Sequence, residues 1–185
     1  EHEKYRWGRA TGSAPGLDGV GGWFTDNPYG VGVWGMHLMQ LIVETHQMPV
    51  CVINGGSGSS SIEQNMPETY QADLNSSFGR LIYRAHEAGL TDGIKAVLWH
   101  QGESNSREQW KDYRQKFDTL YQAWKANFLS LQKVYMFQLH PGCGGDYQSE
   151  LRDLQPAIAD SYKDVAIMST CGLPGHDGCH YTHER

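Results

Sequence analysis

Positive charge is scarce in this sequence. Fifteen Lys and Arg stand against 21 Asp and Glu, for a formal net charge of -6 and a pI near 5.8. That balance speaks against non-specific binding to nucleic acid or to an anionic membrane, both of which need basic patches. No apolar run approaches the roughly 20 residues that span a bilayer, so no membrane-spanning helix is expected. There is no P-loop Gly-Lys-Ser/Thr, and the one G-x-G-x-x-G match, Gly30 to Gly35, follows a loop rather than a strand, which leaves phosphate and dinucleotide binding without support. A nucleophile elbow, G-x-S-x-G, is missing too; Gly55-Gly56-Ser57-Gly58-Ser59 comes nearest but ends in Ser and runs on into a loop. Cysteines number four. Cys51 sits in an apolar run and reads as a small buried hydrophobe. Cys143, Cys171 and Cys179 lie in Gly-rich loops, where a disulfide is compatible with export, and Cys171 and Cys179 flank a short loop that could pair them. His176, Cys179, His180 and His183 could suggest zinc, yet no C-x-x-C partner stands elsewhere to complete a tetrahedral set. No metal and no organic cofactor are expected.

What is present is a globular composition, 39% hydrophobic and 11% aromatic over 185 residues, enough for one domain with a full core. Residues 1–30 are rich in Gly, Pro, Asp and aromatics and read as a long loop; their Trp7, Trp23, Phe24 and Tyr29 could stack on sugar rings or simply cover the core. Regular patterning follows. Residues 31–47 place Trp34, Leu38, Leu41 and Ile42 on one helical face. Residues 48–54 (MPVCVIN) read as a buried strand, 76–90 as a helix opened by Ser76 or Ser77 and closed near Gly89, and 94–99 as the next strand. Residues 107–128 form a long amphipathic helix, 133–139 a third strand, 149–162 a helix that Pro156 would kink or split, and 165–170 a fourth strand. Helix alternating with strand is the signature of an α/β fold, a parallel sheet between helical layers. Ligands in such folds bind outside the carboxyl ends of the strands. Three loops leave those ends with unusual chemistry: residues 55–61, 100–106 and 175–180.

In the last of these, Asp177-Gly178-Cys179-His180 offers an imidazole base and a carboxylate to orient it. Gly178 permits the turn that brings them together. The same pattern also serves a solvated loop with an Asx-turn. Gln101, in Trp99-His100-Gln101-Gly102-Glu103-Ser104-Asn105, can aim an amide N–H at a developing oxyanion, with Glu103 as a supporting hydrogen-bonding group. Ser104 or Asn105 can at the same time cap the long helix. Small residues around Gly58 can expose backbone N–H groups to an oxyanion.

Together these blocks resemble the SGNH-type hydrolases, in the branch of sialate O-acetylesterases and acetylxylan esterases. Pro49-Val50-Cys51-Val52-Ile53 resembles that branch's P-V-G-L-I strand, and Ser57 to Glu63 its W-G-G-T-x-I-E block. Trp99 to Asn105 is similar to its W-x-Q-G-E-S-N, and Asp177 to His180 to its closing D-x-x-H. The resemblance implies a three-layer α/β/α flavodoxin-like fold and a carbohydrate O-acetylesterase acting by Ser-His-Asp acyl transfer. It implies His180 as general base, Asp177 as its orienting partner, and Gly58 and Gln101 as oxyanion donors. Ser57 and Ser59 depart from the second block's Trp and second Gly, and another register would put Gly55 or Gly56 in the place of Gly58. The family's G-Q-S-N block does not occur, so the nucleophilic serine and first strand are expected in a preceding segment or on a second chain, with Ser57 or a neighbour as the alternative. The expected partner is an acetylated carbohydrate, and the expected location secreted or periplasmic. The rival reading is a carbohydrate-binding or inactive esterase homologue.

Overall fold

A computed structural model describes residues 32–68, 73–175 and 177–181. The chain divides into two compact units, Glu1–Gly58 and Ser59–Arg185. The aromatic residues of 1–30, together with His176 and His183, lie outside the described residues.

In the first unit, helix α1 spans Val33–His46. It ends where Gln47 turns left-handed, φ 52°, and donates its backbone N–H to Val43 O at 2.9 Å. Of the expected apolar face, Trp34 and Leu41 are exposed. The run at 48–54, expected as a strand, is not one. Strand propensity alone does not make a strand, because its N–H and C=O groups need a ladder to pair with, and among the described residues none pairs with this run.

The second unit holds helix α2 (Ser77–Glu87), strand β1 (Ala96–His100), helix α3 (Tyr113–Asn127), strand β2 (Lys133–Phe137), helix α4 (Gln148–Ala159) and strand β3 (Val165–Met168). Ser76 caps α2 as the sequence suggests, its hydroxyl accepting from Gly79 N at 2.9 Å. The expected long helix starts later than its periodicity indicates: 3-10 turns at Glu103–Asn105 and Glu108–Asp112 precede α3. Neither Ser104 nor Asn105 caps it, since both side chains bond to residues 59–63 instead. Helix α4 runs unbroken through Pro156. Proline lacks the N–H that would bond Arg152 O, and the Gln138 side chain supplies the missing donor at 3.0 Å.

The three strands form one parallel sheet in the order β1-β2-β3, with Trp99, Met136 and Ile167 in register. The fold is therefore of the α/β class. Val134 and Met136 are fully buried on one face, where Trp99 meets Trp124 of α3 edge-on at 5.3 Å and Trp124 meets Phe117 at 6.1 Å. On the opposite face Tyr135 and Met168 are 45% and 48% exposed. Because the strands are parallel, their carboxyl ends fall on one edge, where His100, Phe137 and Met168 stand side by side.

Candidate active site

The loops leaving β1, β2 and β3 are tied to one another beyond that edge. Ser106 is fully buried; its hydroxyl donates to Glu103 O at 2.6 Å and accepts from Gly145 N at 2.5 Å, while its carbonyl accepts from Tyr147 N. Gln155 of α4, also fully buried, donates to Gln101 O at 3.1 Å and accepts from Leu139 N at 2.7 Å. One amide thus joins the start of the β1 loop to the start of the β2 loop. Gly102, φ 159°, passes so close that an added Cβ would meet Gln155 Nε2 and Leu151 Cδ2 at 3.3 Å. Thr170, after β3, donates to Gln138 O at 2.9 Å. A disulfide joins Cys143 in the β2 loop to Cys179 in the β3 loop. Cys171, the other candidate partner of Cys179, keeps a free and exposed thiol.

The expected base and its orienting carboxylate meet. His180 Nδ1 lies 2.6 Å from Asp177 Oδ2. The other carboxylate oxygen accepts from His180 N at 2.7 Å and Cys179 N at 2.9 Å. The Asx-turn and the carboxylate–imidazole contact are therefore one structure: the turn fixes the carboxylate, and the carboxylate meets the ring. Gly178, φ 81°, makes the turn possible. The His180 backbone N–H, the imidazole and the Cys179 N–H together hold the Asp177 carboxyl well below the usual carboxylate range. Both side chains are about half exposed, so a substrate can reach them.

Tyr181, next in sequence to this pair, packs against the end of β1. Tyr181 Oη lies 2.9 Å from His100 Nε2 at the end of β1. Its ring sits edge-on to His100 at 5.7 Å and to His140 at 5.4 Å. Glu103 Oε1 stands 3.6 Å from His100 Nδ1. The end of β1 and the residue that follows the Asp177–His180 turn therefore touch.

Gln101 sits in a network whose orientations follow from one backbone donor. Ile62 N donates to Asn105 Oδ1 at 2.8 Å, so the Asn105 amide nitrogen faces outward and donates to Glu63 Oε2 at 2.9 Å. Gln101 must then present its own nitrogen, which donates to Asn105 Oδ1 at 2.7 Å and to Ser60 O at 3.1 Å. Its oxygen Oε1 is buried without a partner among the described residues. Lys116 reaches Glu63 Oε1 at 2.6 Å. Burial pushes the Glu63 carboxyl up, but hydrogen bonds from Lys116, Asn105 and backbone outweigh it and bring it down to about 2. Ser104 donates to Ser59 O at 2.9 Å. Ser59 has φ 60°, a left-handed conformation that suits glycine, the residue the resembling family carries there. Gly58 stands in the turn just before it and belongs to the first unit.

Sequence reasoning singled out Asp177, His180, Gln101 and Glu103 and gave no role to His100, Tyr181, Ser106 or Gln155. The contacts that tie these residues across the loops span 16 to 81 positions, from Leu139–Gln155 at 16 to His100–Tyr181 at 81, and only the fold brings them together. Among the described residues no group of three or more His, Cys, Asp or Glu is placed to hold a metal ion. Nor does any helix among them have the length and apolarity to cross a membrane.

No curated protein matches the chain. A family pattern does, that of the carbohydrate esterases described as sialic acid-specific acetylesterase, over residues 23–185. That span contains the parallel sheet, the Trp99–Asn105 block and the Asp177–His180 pair, and the chain belongs to this carbohydrate esterase family.

Proposed function

We propose that the protein removes acetyl groups from sugars by two-step acyl transfer, with His180 as general base and Asp177 as its orienting carboxylate. The observation that carries this reading is the 2.6 Å contact between His180 Nδ1 and Asp177 Oδ2. With Nδ1 on Asp177, Nε2 is the nitrogen proposed to take a proton from a serine hydroxyl. That hydroxyl attacks the acetyl carbonyl, its proton passing to His180. The tetrahedral intermediate then collapses, and His180 returns the proton to the departing sugar oxygen. Water repeats the cycle on the acyl-enzyme and releases acetate. Asp177 stays charged throughout and stabilises the imidazolium that forms at each step. The Gln101 amide is the proposed oxyanion donor; it acts by exchanging the Ser60 carbonyl for the ester oxygen. Losing one such donor costs on the order of a hundred- to a thousand-fold in rate. The serine is proposed to come from outside these 185 residues, because no G-Q-S-N or G-x-S-x-G block occurs within them. The Cys143–Cys179 disulfide supports placement in a secreted or periplasmic setting.

The missing serine motif is also what favours the second reading, a non-catalytic sugar-binding homologue. Treating the full-length protein with a fluorophosphonate and mapping the labelled peptide separates the two. A label on a serine outside residues 1–185, with acetate released from an O-acetylated sugar, supports the esterase and its external nucleophile. A label on Ser57 to Ser61 moves the nucleophile into this chain. Sugar binding with neither label nor acetate release supports the binding module.

A further inference from the structure

His180 is held from both sides in sequence, and only one of the two holds is covalent. On its amino side Cys179 is bonded to Cys143. On its carboxyl side Tyr181 is held by rings and a hydrogen bond: the hydroxyl on His100 Nε2 at 2.9 Å, the ring edge-on between His100 and His140, and the backbone bridged to Gly175. The segment is otherwise loop, and both Asp177 and His180 are half exposed. Packing alone would not keep an exposed imidazole in one orientation against solvent. His100, by contrast, is the last residue of a strand whose ladder to β2 fixes its backbone, with Glu103 and the Phe137 ring, at 5.9 Å, beside its imidazole.

We propose that His100 and Tyr181 are positioning residues for His180: the β1 strand end grips the tyrosine hydroxyl, and through the peptide between 180 and 181 this sets the backbone from which the His180 ring reaches Asp177. The inference rests on the reading of His180 as the base. The His100–Tyr181 hydroxyl contact joins two side chains outside the proposed proton transfer, beside the ring contacts, the Gly175 bridge and the Thr170 hydroxyl. Removing either end of that contact releases the same constraint, and removing both releases no more of it. A positioning loss also appears in kcat rather than KM, since the proton-transfer geometry loosens while no group proposed to bind the substrate is removed.

The test uses the full-length protein with Tyr181→Phe, His100→Leu, the double variant and His100→Gln, whose amide reaches about as far as Nε2. With p-nitrophenyl acetate, each single variant should lose about tenfold in kcat with KM within about twofold. The double variant should lose no more than either single, and His100→Gln should recover most of the rate. An unchanged kcat in Tyr181→Phe, losses that multiply in the double variant, or a change confined to KM overturns the proposal. Nitrogen-15 shifts of the His180 ring give a readout independent of turnover. The wild type should hold the Nδ1-protonated tautomer, and Tyr181→Phe and His100→Leu should both shift toward a mixture; unchanged shifts overturn the proposal. If His180→Ala turns over ester as well as wild type, the catalytic reading fails by itself, and the ring shifts still decide the clamp.

Discussion

At the scale of single residues, Asp177 carries two tasks with two oxygens. One oxygen closes the turn on Cys179 N and His180 N, and the other orients the His180 ring. Asp177→Asn should keep the turn, because an amide oxygen still accepts from both N–H groups, but it loses the negative charge that favours imidazolium. We expect kcat on p-nitrophenyl acetate to fall by about three to four orders of magnitude with the melting temperature nearly unchanged; a comparable fall in both would make the residue structural. Glu63 shows the opposite balance, a carboxylate that holds the fold. Its folded-state value of about 2 lies below its ordinary 4.5. The stability it contributes is therefore complete above about pH 4.5 and is lost as pH falls toward 2. Its side chain is 38% exposed, so solvent screening reduces the effect to on the order of 1 kcal/mol. Thermal melts from pH 5 to pH 3 should show a smaller decline in Glu63→Gln than in wild type. Gln155, fully buried between Gln101 O and Leu139 N, should be costlier: Gln155→Leu leaves Leu139 N without its acceptor and Gln101 O with the Tyr113 hydroxyl alone, and should destabilise by about 1–3 kcal/mol in urea unfolding.

At the scale of elements and loops, the disulfide closes a sequence separation of 36 residues. Breaking it with Cys143→Ser should cost about 3–4 kcal/mol through the entropy of the unfolded chain and lower esterase turnover as well, because Cys179 adjoins His180. Turnover that survives reduction unchanged would show that the tyrosine contact alone holds the loop. The elements legible in the sequence were those with their own periodicity or cap: α2 with Ser76, α3 with its aromatic stripe, and the three strands that found partners. Legible too was the Asp177–His180 pair, since a turn of three residues is a local property. The run at 48–54 reads as a strand for a local reason, its β-branched residues, but pairing is not local. Pro156 reads as a break because the rescuing donor, Gln138, lies 14 positions from the carbonyl it serves. Likewise Gln101 reads as an open donor until Ile62 N, Asn105 and Ser60 are placed around it.

For the second unit as a whole, parallel strands put three carboxyl ends on one edge, and the loops beyond that edge are bound into one body by Ser106, Gln155, Thr170 and a disulfide. The proposed base and its carboxylate sit on a turn with no regular structure of its own, beside the disulfide that cross-links these loops. The measurement that bears most directly on this account is turnover of p-nitrophenyl acetate by the full-length protein beside its His180→Ala variant, at matched concentration and with matched melting temperature. The account expects the variant to lose at least about a thousandfold in kcat/KM; a His180→Ala protein that hydrolyses the ester at the wild-type rate contradicts it.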